Sequence, residues 1–188
     1  MANILRISEI AKGPVLSGAP RGQQLLGKLI SEVSPVAQPV PLFLNFAGID
    51  LMTSSFFRAG ILPFRDYCVE KLGLYPVLAN VSADTLDEID VVLAPIRDAV
   101  ILCRLDGDNR VSDARIFGIL DEKQRVTFEA VVDAKEADAG TLKHRFGKSE
   151  EIGITGWNNR LAALVAKGLL IETQKGRGKL YRPVLELN

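Results

Sequence analysis

The sequence predicts an α/β protein in two parts. A helix-covered sheet occupies residues 1–110, and three helices with a β-hairpin occupy 120–188, with 111–119 as a linker or an extra strand. Three observations carry this reading. Short apolar runs alternate with stretches of helical spacing up to about residue 105. Those runs are apolar throughout rather than at every second residue, the pattern of strands covered on both faces. Beyond residue 120 the spacing is helical until a final alternating segment, which breaks at Gly176-Arg177-Gly178.

Each element has a local cause. Residues 4–7 read as a short strand, followed by a loop marked by Gly13, Pro14, Gly18 and Pro20. Leu25, Leu26, Leu29, Ile30 and Val33 recur at helical spacing over 23–33, and Pro35 and Pro39 end that helix. The run VPLFLNF over 40–46 has strand length. Thr53-Ser54-Ser55 can cap a helix reaching about residue 72, with Pro63 expected to kink or split it. A strand over 75–80, a helix over 84–98 and a third apolar strand over 99–105 follow, and Asp106-Gly107-Asp108-Asn109 closes this part. Asp121, Asp138 and Thr155 are placed to cap three helices, ending near residues 134, 146 and 167. The tail over 169–184 alternates on both sides of its glycine break, as a hairpin does.

Composition narrows the function. The chain has 188 residues, 23 Lys+Arg against 23 Asp+Glu, one His, two Cys and 47% hydrophobic residues. At about 150 residues per domain this is one large domain or two small ones. Cys68 and Cys103 lack metal or redox spacing and read as buried free thiols in a reducing compartment. A single His argues against a zinc site. No run reaches the roughly 18 apolar residues of a membrane span. Arg6, Ser8 and Glu9 stand where a signal peptide needs an apolar core. The expectation is a cytoplasmic protein with no cofactor, no metal and no catalytic set. Gly22 through Lys28 matches P-loop spacing, but Leu29 stands where the Mg²⁺-holding hydroxyl belongs. The charge is uneven: residues 1–110 carry 10 cations and 12 acids, whereas 143–188 carry 9 and 4. The basic end directs attention to nucleic acid.

From Asp138 onward the chain resembles a bacterial winged helix-turn-helix. A short helix leads through a turn into a second, which ends in Leu161, Leu164 and Lys167-Gly168-Leu169-Leu170, similar to the family's L-x-x-L-x-x-x-G-L-I pattern. Gly168 suits the left-handed position that stops a helix. The resemblance implies that the start of the second helix enters the major groove, with Thr155, Asn158, Asn159 and Arg160 facing double-stranded DNA. It also implies a wing whose Lys175, Arg177 and Lys179, followed by Arg182, reach phosphates. The alternative is a docking or dimerisation module, with a homodimer as its product and Trp157 as a core anchor.

The run LFLNFAGIDLMTSSFFRAGI resembles the central segment of STAS domains, the family of anti-sigma-factor antagonists. There a strand leads into a helix that opens on a phosphorylated serine. The resemblance places Ser54 at that phosphoacceptor position and implies a protein partner. A helix N-terminus suits a phosphate, because unpaired N–H groups and the helix dipole favour negative charge. Thr53 replaces the family's acidic residue and Phe56 its glycine. The alternative role for Thr53 or Ser54 is a plain helix cap.

Overall fold

The computed structural model describes residues 3–150, 152–176 and 178–187. In chain order its strands are β1 (Asn3–Arg6), β2 (Val15–Leu16), β3 (Val40–Asn45), β4 (Leu51–Met52), β5 (Leu74–Ala79), β6 (Ala99–Leu105), β7 (Val111–Gly118), β8 (Leu170–Lys175) and β9 (Gly178–Pro183). Its helices are α1 (Ile7–Ala11), α2 (Ala19–Ser31), α3 (54–72), α4 (Ala83–Ile96), α5 (Glu122–Ala134), α6 (Ala139–Glu150) and α7 (Ile154–Ala166). The central sheet has the order β1-β3-β5-β6-β7, parallel except for β7. The pairs β2–β4 and β8–β9 stand apart from it.

This order explains where the helices lie. Each parallel strand pairs with the next long strand in sequence, and crossovers of one hand then put every connecting helix on the same face. Side chains alternate across the sheet. Leu42, Leu44, Leu78, Val100 and Leu102 therefore share a buried cluster with Leu25 and Leu29 of α2, Phe57 and Phe64 of α3, and Ile89 and Leu93 of α4. The other face carries Phe43, Tyr75, Val77, Ile101, Cys103 and Leu105. These join one cluster with Phe128, Leu142, Trp157, Leu161, Ile171 and Tyr181 of the C-terminal segment. The strands are apolar throughout because both faces are covered.

The helix over 54–72 is not split at Pro63. Two π segments, Phe57–Ile61 and Cys68–Leu72, flank the α segment Leu62–Tyr67. Leu62 N–H donates to the Phe57 carbonyl, five residues back. This wider turn just ahead of Pro63 accommodates a ring that would strike the carbonyl four residues back. The π turn also brings Gly60 against Gly22 of α2. A Cβ on Gly60 would stand 2.7 Å from the Gly22 carbonyl oxygen. The P-loop-spaced residues from Gly22 to Lys28 lie inside α2, with no phosphate-cradling loop.

Residues 111–118 form the antiparallel edge strand β7. Its register shifts between Leu102 and Arg104, and Asp113 sits at φ +52° with its carboxylate 3.2 Å from Arg104 Nε. Such a bulge at a charged edge blunts pairing with other strands.

In the C-terminal segment Asp121 accepts from Gln124 N–H at 2.8 Å, and Asp138 accepts from Thr141 N–H at 2.7 Å. Thr155 does not cap α7. The chain turns two residues earlier, where the Gly153 carbonyl accepts from Gly156 and Trp157 N–H, so Thr155 is an exposed residue of the first turn. Gly168, at φ +73°, ends α7 as expected: its N–H donates to Val165 O, and Leu169 N–H donates to Leu164 O.

Candidate nucleic-acid interface

Helical spacing decides what α7 presents. Trp157, Leu161 and Leu164 turn inward and are buried. The opposite row exposes Ile154, Thr155, Asn158, Asn159, Ala162 and Ala166. It is a row of short, uncharged side chains, with two amides near the N-terminal end.

Asn158, Asn159 and Ala162 line a concavity of about 570 Å³ whose other walls include Gly140 at the start of α6 and Gly178 and Lys179 at the start of β9. The structure thus brings Asn158, Asn159 and Lys179 to one hollow. Lys179 Nζ also lies 2.9 Å from the Glu172 carboxylate. Lys175 is exposed at the end of β8, outside the residues lining the hollow. Arg177 lies outside the described residues.

Arg160 takes a different place. Its guanidinium stands 5.3 Å over the ring of the buried Trp157, a cation–π contact on the side of α7 away from the exposed row. Trp157 also lies 6.2 Å from Phe146, and its buried Nε1 has no hydrogen-bond partner among the described residues. The Trp157 side chain is therefore core. Arg182 Nη2 is 3.4 Å from the Pro39 carbonyl, so this cation contacts the loop ahead of β3.

One feature of the hollow escaped the sequence. Asp138 lines it as well as capping α6, which sets a carboxylate opposite Lys179. Lys143, His144 and Arg145 are exposed on α6. The spacing of residues 158, 162 and 166 was the signal for the small-residue row, because a helix returns to the same face every three to four residues.

The second candidate lies at the start of α3. Ser54 is half-buried, and its backbone N–H donates to Glu88 Oε2 of α4 at 2.6 Å. A carboxylate from the same chain thus occupies the N-terminal position that favours an anion. Thr53 is the residue before the helix, and its side chain makes no capping bond. Its hydroxyl instead lies 3.2 Å from Ser55 Oγ and accepts weakly from Gly18 N–H at 3.4 Å.

Burial pushes the Cys68 thiol up to about 12 and the Cys103 thiol up to about 11, which makes both poor nucleophiles. Among the described residues no helix is long and apolar enough to cross a membrane. Comparison with protein-family models finds no match for the chain, and comparison with curated proteins finds no relative.

Proposed function

We propose that residues 120–188 bind double-stranded DNA as a winged helix-turn-helix, with α7 in the major groove and β8–β9 as the wing. Residues 1–110 then serve as a STAS-like sensing or partner-binding domain of a cytoplasmic regulator. The observation that carries this reading is the shared hollow: the amide-bearing face of α7 and Lys179 of the hairpin open onto the same space. Two further features support it. The helices α5, α6 and α7 precede the hairpin in the order of that fold. Ala137, between α5 and α6, bridges to Tyr181 of β9 as a minimal third strand.

A titration series over salt and sequence tests the proposal. Lys175→Ala with Lys179→Ala should weaken binding to all duplexes alike and flatten the salt dependence, by about 0.9 in slope for each phosphate left without its cation. Asn158→Ala should instead lose discrimination at one position, about 1–3 kcal/mol against the wrong base. A wild-type protein without salt-dependent DNA binding would defeat this reading.

The second reading is a protein-docking module that dimerises the chain. Two observations favour it: Lys179 beside Glu172 and Asp138 in the hollow both temper the positive field that DNA requires. Concentration-dependent sedimentation without DNA affinity would select this alternative.

A further inference from the structure

The geometry points to Lys167 as a positioning residue that fixes α7 to the sheet and so sets the angle at which Asn158 and Asn159 meet a duplex. This inference rests on the DNA-binding reading and adds to it a route by which the sheet controls that contact.

Lys167 is the C-terminal cap of α7, and the chain reverses at Gly168 directly behind it. Its Nζ donates to the Arg97 carbonyl at 2.7 Å and lies 3.1 Å from Asp98 Oδ1. Arg97 closes α4 in a left-handed conformation, so the ammonium sits at the negative end of that helix. Asp98 is held from the other side. Its Oδ2 accepts from Arg65 Nη2 at 2.8 Å, and its Oδ1 accepts from Ala99 N–H at 2.8 Å. Arg65 also donates to the Ala99 carbonyl at 3.3 Å. Arg65 and Asp98 are each 7% exposed.

Gly168 completes the joint. A Cβ there would touch the stem of Arg65 and Val69 at about 3.5–3.6 Å, so the backbone behind α7 rests on α3. Among the described residues, Lys167–Asp98 is the ion pair that links the first 110 residues to the last 69. The joint therefore draws on α3, on the turn between α4 and β6, and on the end of α7.

A carboxylate held through both oxygens adds a directional constraint to the apolar contact around it, because charge-assisted hydrogen bonds fix angle as well as distance. With Lys167 fixed, the exposed row of α7 and the hairpin keep one relation to the sheet. The same α4 that ends at this joint carries Glu88, which accepts from the amide of Ser54. A shift of α4 would thus be felt at both places.

The test uses the full chain and duplexes selected by the wild type from a random-sequence library, with unselected duplex as reference. Lys167→Met should leave binding to unselected duplex unchanged and reduce the preference for selected duplex roughly tenfold. Lys167→Arg should restore that preference. Trp157 fluorescence confirms that each variant is folded. If Lys167→Met does not fold, Lys167→Gln, which keeps a donor for the Arg97 carbonyl, takes its place with the same expected loss. An unchanged preference in the folded variant, or equal loss on both kinds of duplex, overturns the inference and leaves the DNA reading standing. A wild type that binds neither duplex fails the DNA reading, and the inference falls with it.

Discussion

The two faces of the central sheet are covered in different ways. One face is closed by α2, α3 and α4, the helices that the strand order itself requires between parallel neighbours. Nothing in the strand order closes the other. Phe43, Tyr75, Val77, Ile101 and Cys103 would face water there if the chain stopped after β7, and the C-terminal helices and hairpin bury them instead. A continuous apolar strand thus states a requirement for two covers without naming either. The difference also bears on the proposed function, because a DNA-reading helix built on the second cover is mechanically part of the sheet.

Removal of one cover gives the largest expected effect. From the apolar positions of its helices and hairpin, the sequence predicts that residues 120–188 fold alone. The shared core predicts instead that this fragment lacks a cooperative thermal transition, since Leu170, Ile171 and Tyr181 are deprived of their partners on the sheet. Calorimetry on the fragment checks this. A sharp transition would show that the second cover is self-sufficient and that the contact is only a docking surface.

Next in size is the joint between the covers. Asp98→Asn should cost about 3 kcal/mol in denaturant unfolding, the low end for breaking a buried pair, because Arg65 keeps only the half-exposed Asp66 and the partly exposed Lys167 keeps only the Arg97 carbonyl. The pH dependence follows from the same group. Burial opposes the charge of Asp98, but Arg65, the Ala99 amide and Lys167 outweigh it and hold the carboxyl below its ordinary value. A carboxyl lowered in the folded state adds stability that is complete above its unfolded value, about 3.9, and is lost as pH falls through the folded value. The parent should therefore lose stability on the acid side of about pH 4 more steeply than Asp98→Asn does. Parallel acid limbs in the two proteins would remove Asp98 from the account.

A smaller effect is expected inside the first cover. Gly60→Ala would press a methyl group against the Gly22 carbonyl and should cost about 1–3 kcal/mol by forcing α2 from α3. The loss should appear in thermal unfolding with DNA affinity unchanged once the protein is folded. An affinity change would mean that the first cover communicates with α7 more strongly than the joint suggests.

The elements of both covers were legible in the sequence, but the packing of the second cover onto the sheet was not. Apolar runs such as VPLFLNF and AVILCRL announce strands, and Leu25, Leu26 and Leu29 announce a helix, because those signals are local. Residues 111–118 stayed ambiguous because Ser112, Asp113 and Arg115 are exposed along an edge strand and mask its buried Ala114. Pro63 misled because a π turn absorbs it, and no residue type marks such a turn in advance. Thr155 has a capping side chain, but Gly153 bends the chain two residues ahead of it. The exposed Asn158 and Asn159 were readable from helical spacing. Arg160 was not, although Trp157 three residues earlier offered a ring to stack on. The joint was invisible: Lys167 and Asp98 are 69 residues apart, and a lysine after a helix has no periodic partner to betray it.

The central claim is that the sheet and the C-terminal segment fold as one core, and the single tryptophan makes it measurable. Trp157 lies wholly in the second cover, and far-UV circular dichroism reports on the whole chain. Ile101→Ala removes a buried side chain from β6, on the face toward that cover, and should cost about 2–5 kcal/mol. The account predicts that the midpoint seen by Trp157 fluorescence falls together with the midpoint seen by circular dichroism, by the same interval. A Trp157 transition that stays at the parent midpoint while the dichroism shifts would contradict it.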